Sequence, residues 1–282
     1  MRFCMVVVRF RMLSIPFCKL IISDMVCATR LETASKERYM PISTPTDSSA
    51  RLVATSQGES DWLNARKARF WDRSASKYAA SQIADLPGYE QSLARTINYL
   101  GPSYDVLEVG CGTGSSALRL ATYCSSYRAT DVSTEMISIA RKKLAASPNA
   151  RLQFSVADAE ASPAEVGKQY DRVLAFNVLH LADDVDDMIA GCSAALRPGG
   201  LLISKTPCLR EMNWLIPNVA VPLARLIGKA PTVQNLGERD LLDAMQRQGL
   251  TIVNVERHGT RGRDVRPYIV ARKPAATVVP SM

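Results

Sequence analysis

The sequence predicts an α/β protein, a mostly parallel sheet covered by helices on both faces. Three observations point to it. From Tyr104 onward, short and nearly continuous apolar runs alternate with amphipathic stretches, as strands buried on both faces do beside the helices that cover them. A glycine-rich stretch, "VGCGTG" (Val109 to Gly114), separates the first such run from the first amphipathic stretch, a strand–loop–helix order that presents backbone N–H groups to a ligand. The last two runs, "LTIVNVERH" and "RPYIVARK", are joined by about eight residues, too few for a crossover helix, and are expected to pair antiparallel.

Each element follows from local signals. Residues 61–77 open on Asp61, a capping residue, and place Trp62, Ala65, Arg69 and Phe70 at helical spacing, so one or two helices are expected. In "GYEQSLARTINYLGP", Tyr89, Leu93, Ile97 and Leu100 share a face and Gly101-Pro102 ends the helix. Residues 104–109 read as a strand and 115–124 as a helix. A strand at 127–130 follows, then a helix capped by Ser133 and bearing Met136, Ile139, Ala140 and Leu144. Strands are expected at 151–157 and 172–176, and a helix at 184–196 that buries Val185, Met188, Ile189, Cys192 and Leu196. "RPGG" (Arg197 to Gly200) has the Pro and Gly positions of a tight turn feeding a strand at 201–205. Residues 212–228 are unusually apolar and broken by two prolines, and 238–248 form a helix closed by Gly249.

Composition narrows the function classes. A chain of 282 residues that is 47% hydrophobic and 22% charged can bury a full core. Of its 35 Lys+Arg and 27 Asp+Glu, eight bases and five acids lie in the first sixty residues, and no block of bases is interleaved with aromatics, which argues against a nucleic-acid partner. Seven cysteines form no Cys-x-x-Cys pair and stand beside only two histidines, the pattern of reduced thiols in a cytoplasmic protein without a zinc site. Residues 1–40 are basic and apolar, yet Arg9, Arg11, Pro16 and Lys19 interrupt them too often for a signal core or a membrane span. Residues 1–60 are therefore expected to be a disordered or non-native extension with a Ser/Thr/Pro-biased linker, 61–275 the working domain, and 276–282 a tail.

Three carboxylates mark strand ends, where an open α/β sheet binds ligands: Glu108 two residues before Gly110, Asp131 about twenty residues past the glycine loop, and Asp158 in "VADAE". A carboxylate at Asp131 suits two ribose hydroxyls, and one at Asp158 suits an adenine amino group. The pyrophosphate fingerprint is incomplete, because Ser115 occupies the position of its third glycine.

The ordered stretches "VLEVGCGTGSSAL", "ATDVSTEMISIARKKL", "VADAE", "YDRVLAFNVLHLADD" and "LRPGGLLISKT" resemble the motifs of class I S-adenosylmethionine-dependent methyltransferases, closest to the small-molecule and quinone-type subgroup. The resemblance spans roughly residues 71–273. It implies a Rossmann-like, seven-stranded, mostly parallel sheet with an antiparallel terminal strand, amino-terminal lid helices over 61–102 and an inserted acceptor-side segment over 206–232. S-adenosylmethionine is the implied cofactor. On this resemblance Gly110, Cys111, Gly112 and Gly114 form the loop under its methionine part, Glu108 reaches its amine, and Asp131 and Val132 hold ribose and adenine. Asp158 and Ala159 would bind the adenine edge, Asn177 would face the transfer site, and Tyr78 would belong to a lid. Two departures are visible: "EVGKQYD" keeps only Tyr170-Asp171 of a turn common in relatives, and His180-Leu181 replaces a frequent histidine pair.

Methyl transfer from a sulfonium is an in-line displacement that needs positioning and dryness rather than a metal or covalent nucleophile. His180 is the candidate base for an acceptor that must lose a proton. Asp183, Asp184, Asp186 and Asp187 read as first-turn carboxylates complementing a helix dipole, and His258 as an exposed residue by the terminal hairpin. Trp214, Leu215, Ile216, Val219 and Leu223 are candidates to line an apolar acceptor cavity, and Lys205, Arg210 and Lys229 to meet an anionic group. The expected partner is a small, apolar-leaning acceptor, and peripheral membrane contact stays open. An RNA acceptor and a non-catalytic cofactor-binding module remain the alternatives; "NVLH" lacks the Asn/Asp-Pro-Pro-aromatic signature of base amino-methylating enzymes.

Overall fold

The computed structural model describes residues 65–160, 167–211, 233–259 and 265–275. The expected extension, the tail, and Trp214, Leu215, Ile216, Val219, Leu223 and Lys229 lie outside them.

Residues 65–80 form helix α1, and α2 spans Leu86–Ile97, with the Asp85 side chain accepting from Gly88 N–H at its start. Then follow β1 (Asp105–Val109), α3 (Ser115–Leu120), β2 (Ser126–Asp131), α4 (Thr134–Ala146), β3 (Leu152–Val156) and β4 (Tyr170–Phe176). The remainder is α5 (Val185–Ala195), β5 (Leu196–Lys205), α6 (Glu238–Arg247), β6 (Thr251–Arg257) and β7 (Pro267–Arg272). The seven strands make one sheet in the order β3-β2-β1-β4-β5-β7-β6, parallel through β5, with β7 antiparallel to both of its neighbours.

The period-2 alternation of the strands sorts their side chains onto two covered faces. Leu107, Val109, Val173 and Ala175 join Met188 and Ile189 of α5 and Leu241 and Met245 of α6. Val106, Leu174, Ile203 and Val270 join Leu93, Leu120 and Ile137 from the helices of the other face. Each fully buried aliphatic side chain is worth about 1.5–3 kcal/mol, so both layers hold the sheet in place beneath its carboxyl edge.

Three expectations need correction. "RPGG" is not a separate turn: β5 begins at Leu196 and bulges, its register with β4 jumping from Tyr170↔Leu196 to Arg172↔Leu201. Gly199 N–H and the Gly200 carbonyl both bond to Lys273, and this long-range pairing overrides the local turn preference. The helix expected to run to Gly101-Pro102 stops at Ile97, where Tyr99 and Leu100 N–H groups turn back to Thr96 and Ile97 carbonyls in tighter i→i+3 bonds. His258 is buried rather than exposed, because the end of β6 folds back onto the start of α2: a Cβ added to Gly259 would stand 2.2 Å from Gly88 Cα.

Candidate active site

A cavity of about 310 Å³ opens at the carboxyl ends of β1, β2 and β4. Glu108, Gly110, Cys111, Gly112, Asp131, Val132, Asp158, Ala159, Asn177 and His180 all line it, and Tyr78 reaches it from α1. Sequence positions spread over a hundred residues thus meet at one place because parallel strands end on one side of the sheet.

The glycine loop is pinned rather than free. Cys111 N–H donates to Thr130 carbonyl at 2.9 Å, Gly112 N–H to Asp131 Oδ2 at 2.8 Å, and Lys143 Nζ to the Thr113 carbonyl at 3.0 Å. Asp131 Oδ1 also accepts from Ser133 N–H at 2.9 Å, so this carboxylate ties two loops together. Burial raises its pKa, with the two backbone donors acting against that. A carboxylate offers about four lone-pair sites, which leaves Asp131 capacity toward the cavity. Burial, opposed by the 2.8 Å bond from the Tyr127 hydroxyl and reinforced by the charge of Asp131, raises Glu108 to about 7. Asp158 Oδ1 accepts from Glu160 N–H at 3.0 Å, whereas its buried Oδ2 has no partner among the described residues.

Helix α1 crosses the cavity and is fixed near its start and at its middle. Lys67 pairs with Glu160 and, at 2.8 Å, with Asp183, while Asp72 accepts from Ser133 Oγ at 2.6 Å. Beyond them, toward the end of the helix, Tyr78 places its ring 3.6 Å from where a Gly112 Cβ would stand. As a residue it is 40% exposed, yet its phenol end is shut into the cavity, where burial and the charges of Asp131 and Glu108 raise its pKa. Loss of the Lys67 pair is expected to loosen this cover: Lys67→Met, which leaves the largely buried Glu160 and Asp183 carboxylates without their cation, should speed dissociation of a nucleoside ligand severalfold in stopped-flow displacement.

At the end of β4, Asn177 adopts φ 54, a left-handed conformation that non-glycine residues seldom take, and its N–H donates to the Lys205 carbonyl at 2.7 Å. His180 follows in a short 3₁₀ turn, 6% exposed, with no partner for Nδ1 among the described residues. Burial and, secondarily, the charge of Arg266 lower it to about 3, so the ring is neutral and a weak proton acceptor. The Asp-rich run is accounted for by structure. Asp184 caps α5, Asp186 pairs with Arg247, and Asp183 pairs with Lys67. Arg210, an expected anion contact, instead pairs with Asp240 on the exposed side of α6. Sequence reading did not find Lys67, Trp71, Tyr89, Ser92 or Arg266, all of which line the cavity. Arg266 stands just ahead of the apolar β7 run, its only local signal.

Residues 107–202 match the family described as "Methyltransferase domain". The stretch from β1 into β5 thus carries a methyltransferase-like domain. Its curated relatives include lovastatin nonaketide synthase mokA of Monascus pilosus, 38% identical over 122 residues, which are 41% of this chain and 4% of that protein. Hybrid PKS-NRPS synthetase mpsA of Macrophomina phaseolina is 36% identical over 135 residues, 44% of this chain and 3% of that one. The methyltransferase domain thus corresponds to only a small part of these synthases. Among solved structures, the N-methyltransferase NodS of Bradyrhizobium japonicum with S-adenosyl-L-homocysteine matches with a TM-score of 0.54 at 19% identity, over 72% of this chain and 98% of that one. The [4+2]-cyclase SpnF matches at 0.57 and 20% identity, over 70% and 84%. These structural likenesses establish the fold. Among the described residues, no helix of the methyltransferase domain is long and apolar enough to cross a membrane.

Proposed function

We propose that this domain transfers a methyl group from S-adenosylmethionine to a small-molecule acceptor, at oxygen or carbon, by in-line displacement. The observation that carries the reading is the convergence of Glu108, Asp131 and Asp158 on one cavity under the glycine loop, with Asp158 Oδ2 buried and lacking a partner among the described residues. This donor set fits the cofactor. Glu108 would take its amine and Asp131 its ribose hydroxyls, Val132 and Ala159 would flank the adenine, and Asp158 would accept from the adenine amino group. When bound, the sulfonium supplies a methyl already activated for attack. The protein's part is to orient and to exclude water: Tyr78 and Trp71 cover the cavity, and Asn177 borders the transfer site.

The names of the relatives suggest a polyketide-like acceptor, and the four described cysteines are unpaired thiols, which supports a reducing, cytoplasmic setting. One observation favours a second reading, a cofactor-binding module without turnover: the weak basicity of His180, the residue that the sequence offers as base.

Calorimetry tests the donor site. Wild type is expected to bind S-adenosylmethionine and S-adenosyl-L-homocysteine but not NAD. Asp131→Ala is expected to lose roughly a hundredfold in affinity, since about 3 kcal/mol attaches to hydrogen bonds of a charged group. Wild-type binding of NAD alone, or affinity unmoved by Asp131→Ala, refutes the assignment. Methyl-labelled cofactor incubated with a metabolite extract separates the two readings, because a module without turnover labels nothing.

A further inference from the structure

Beyond the donor site, the carboxyl edge of the sheet holds a hydrogen-bonded chain with no part in holding the cofactor. Lys205, the last residue of β5, is 7% exposed and lines the same cavity as Asn177 and His180. Its Nζ donates to the Gly88 carbonyl at 3.0 Å and to Ser92 Oγ at 2.9 Å. Ser92 Oγ lies 2.6 Å from the Gly88 carbonyl and 3.0 Å from His258 Nδ1. His258 Nε2 lies 2.8 Å from Glu256 Oε2, and Arg95 Nε donates to Glu256 Oε1 at 2.8 Å.

Proton positions fix the direction of this chain. Burial opposes the ionisation of Glu256, but the bonds from His258 and Arg95 outweigh it and hold its pKa below the ordinary carboxylate range. An ionised carboxylate only accepts, so Nε2 carries a proton toward it. Ser92 donates its one proton to Gly88 or His258 and accepts from Lys205. Ser92, His258 and Glu256 match a hydrolytic triad in residue type only. The serine sits inside a helix, its oxygen is engaged on three sides, and Nδ1 rather than Nε2 faces it.

A cation in the wall of a cavity shielded from water attracts an anionic ligand more strongly than one on the surface. Arg266, also buried, lines the same cavity close enough to His180 to lower its pKa, and of the cavity's carboxylates Glu160 pairs with Lys67, Asp131 holds backbone N–H groups and Asp85 caps α2. We propose that Lys205 binds the acceptor through an oxyanion, phenolate, carboxylate or enolate, beside the transferred methyl, with Ser92, His258 and Glu256 as positioning residues. The inference rests on the methyltransferase reading and names the class of acceptor that it takes. The acceptor loses its proton to solvent before reaction, so no protein base is required and the neutral His180 is no obstacle. Its oxygen, or the carbon conjugated to it, then forms the bond to the methyl as the carbon–sulfur bond breaks with its electron pair on sulfur. The negative charge held by Lys205 disappears with that bond, which loosens the product.

The test uses methyl-labelled S-adenosylmethionine and a metabolite extract with wild type, Lys205→Met, Lys205→Arg and Ser92→Ala, with the affinity of each for S-adenosyl-L-homocysteine measured in parallel. Lys205→Met is expected to keep that affinity within about twofold and to lose roughly 10- to 100-fold in labelled product, the range for a hydrogen bond to a charged group. Lys205→Arg should recover part of the loss, and Ser92→Ala should raise KM for the labelled acceptor more than it lowers kcat. The parent compounds of the labelled products should carry an acidic O–H or C–H. Undiminished labelling by Lys205→Met, or labelled parents that are amines or simple alcohols, overturns the proposal. Failure of wild type to bind S-adenosyl-L-homocysteine would instead bring down the donor-site reading.

Discussion

Gly110→Ala is expected to destabilise the domain by roughly 2–5 kcal/mol, adding a left-handed backbone cost of about 1–2 kcal/mol to an overpacking cost of about 1–3 kcal/mol. Gly110 has φ +65, and a Cβ there would stand 2.4 Å from Val178 Cγ2 and 2.7 Å from its Cβ. Val178 cannot yield cheaply: it is buried between Asn177, itself in a left-handed conformation, and the 3₁₀ turn carrying His180. Gly199 provides the comparison. It has φ +81 but nothing within 4 Å of an added Cβ, so Gly199→Ala should lose only the backbone component of about 1–2 kcal/mol. Urea unfolding reads the difference as a larger fall in midpoint for Gly110→Ala at similar slope. Equal falls for the two variants would mean that Val178 moves aside.

Glu108→Gln is expected to raise stability at pH 8 while weakening cofactor binding. Folding lifts this carboxyl from 4.5 to about 7, chiefly by burial, so the folded protein holds a proton that the unfolded chain releases. The stability due to this group is therefore full below pH 4.5, declines as pH rises toward 7 and is constant above it. The interval corresponds to about 3 kcal/mol at most. The amide of the Glu108→Gln variant carries no such penalty, and the variant's melting temperature should exceed that of wild type by several degrees at pH 8 and by little at pH 5. If Glu108 meets the cofactor amine, wild-type affinity should climb between about pH 6 and 8 with release of a proton, seen as a buffer-dependent binding heat. Both features should vanish in Glu108→Gln. A wild-type affinity flat across that range would contradict the assigned contact.

What could be read in the sequence and what could not divide along a physical line. The glycine loop and the carboxylates of Glu108, Asp131 and Asp158 were legible because each sits beside its own strand, and parallel strands bring their ends together wherever the helices lie. Ser133 was legible as a cap for the same reason, bonding to the N–H three residues on, whereas Asp184, read as a first-turn carboxylate, is itself the cap of α5. The chain from Lys205 through Ser92 to His258 was not, since its partners lie 113 and 166 residues apart and nothing local in "EQSLAR" or "VERHG" marks them. "RPGG" misled for the converse reason: its turn signal is strong, but Lys273, far along the chain, decides its conformation. Tyr78 was found by resemblance, whereas the Lys67 latch that holds its helix joins segments whose spacing carries no periodic signal.

The place of β7 has a consequence for how the protein is made. β7, last in sequence of the seven described strands, does not lie at an edge of the sheet but slides in between β5 and β6, so β6 emerges from the ribosome with no partner waiting for it. The segment from β1 to β5, which carries every proposed donor-site contact except Tyr78, has all its neighbours early apart from the outer edge of β5 and can consolidate first. Arg266 joins the cavity wall, and His258 is held against Ser92, only when residues 267–272 arrive. A nascent chain halted near residue 260 would thus hold an almost complete donor cleft with an unfinished acceptor wall and two strand edges bare, a state exposed to aggregation until the final hairpin closes.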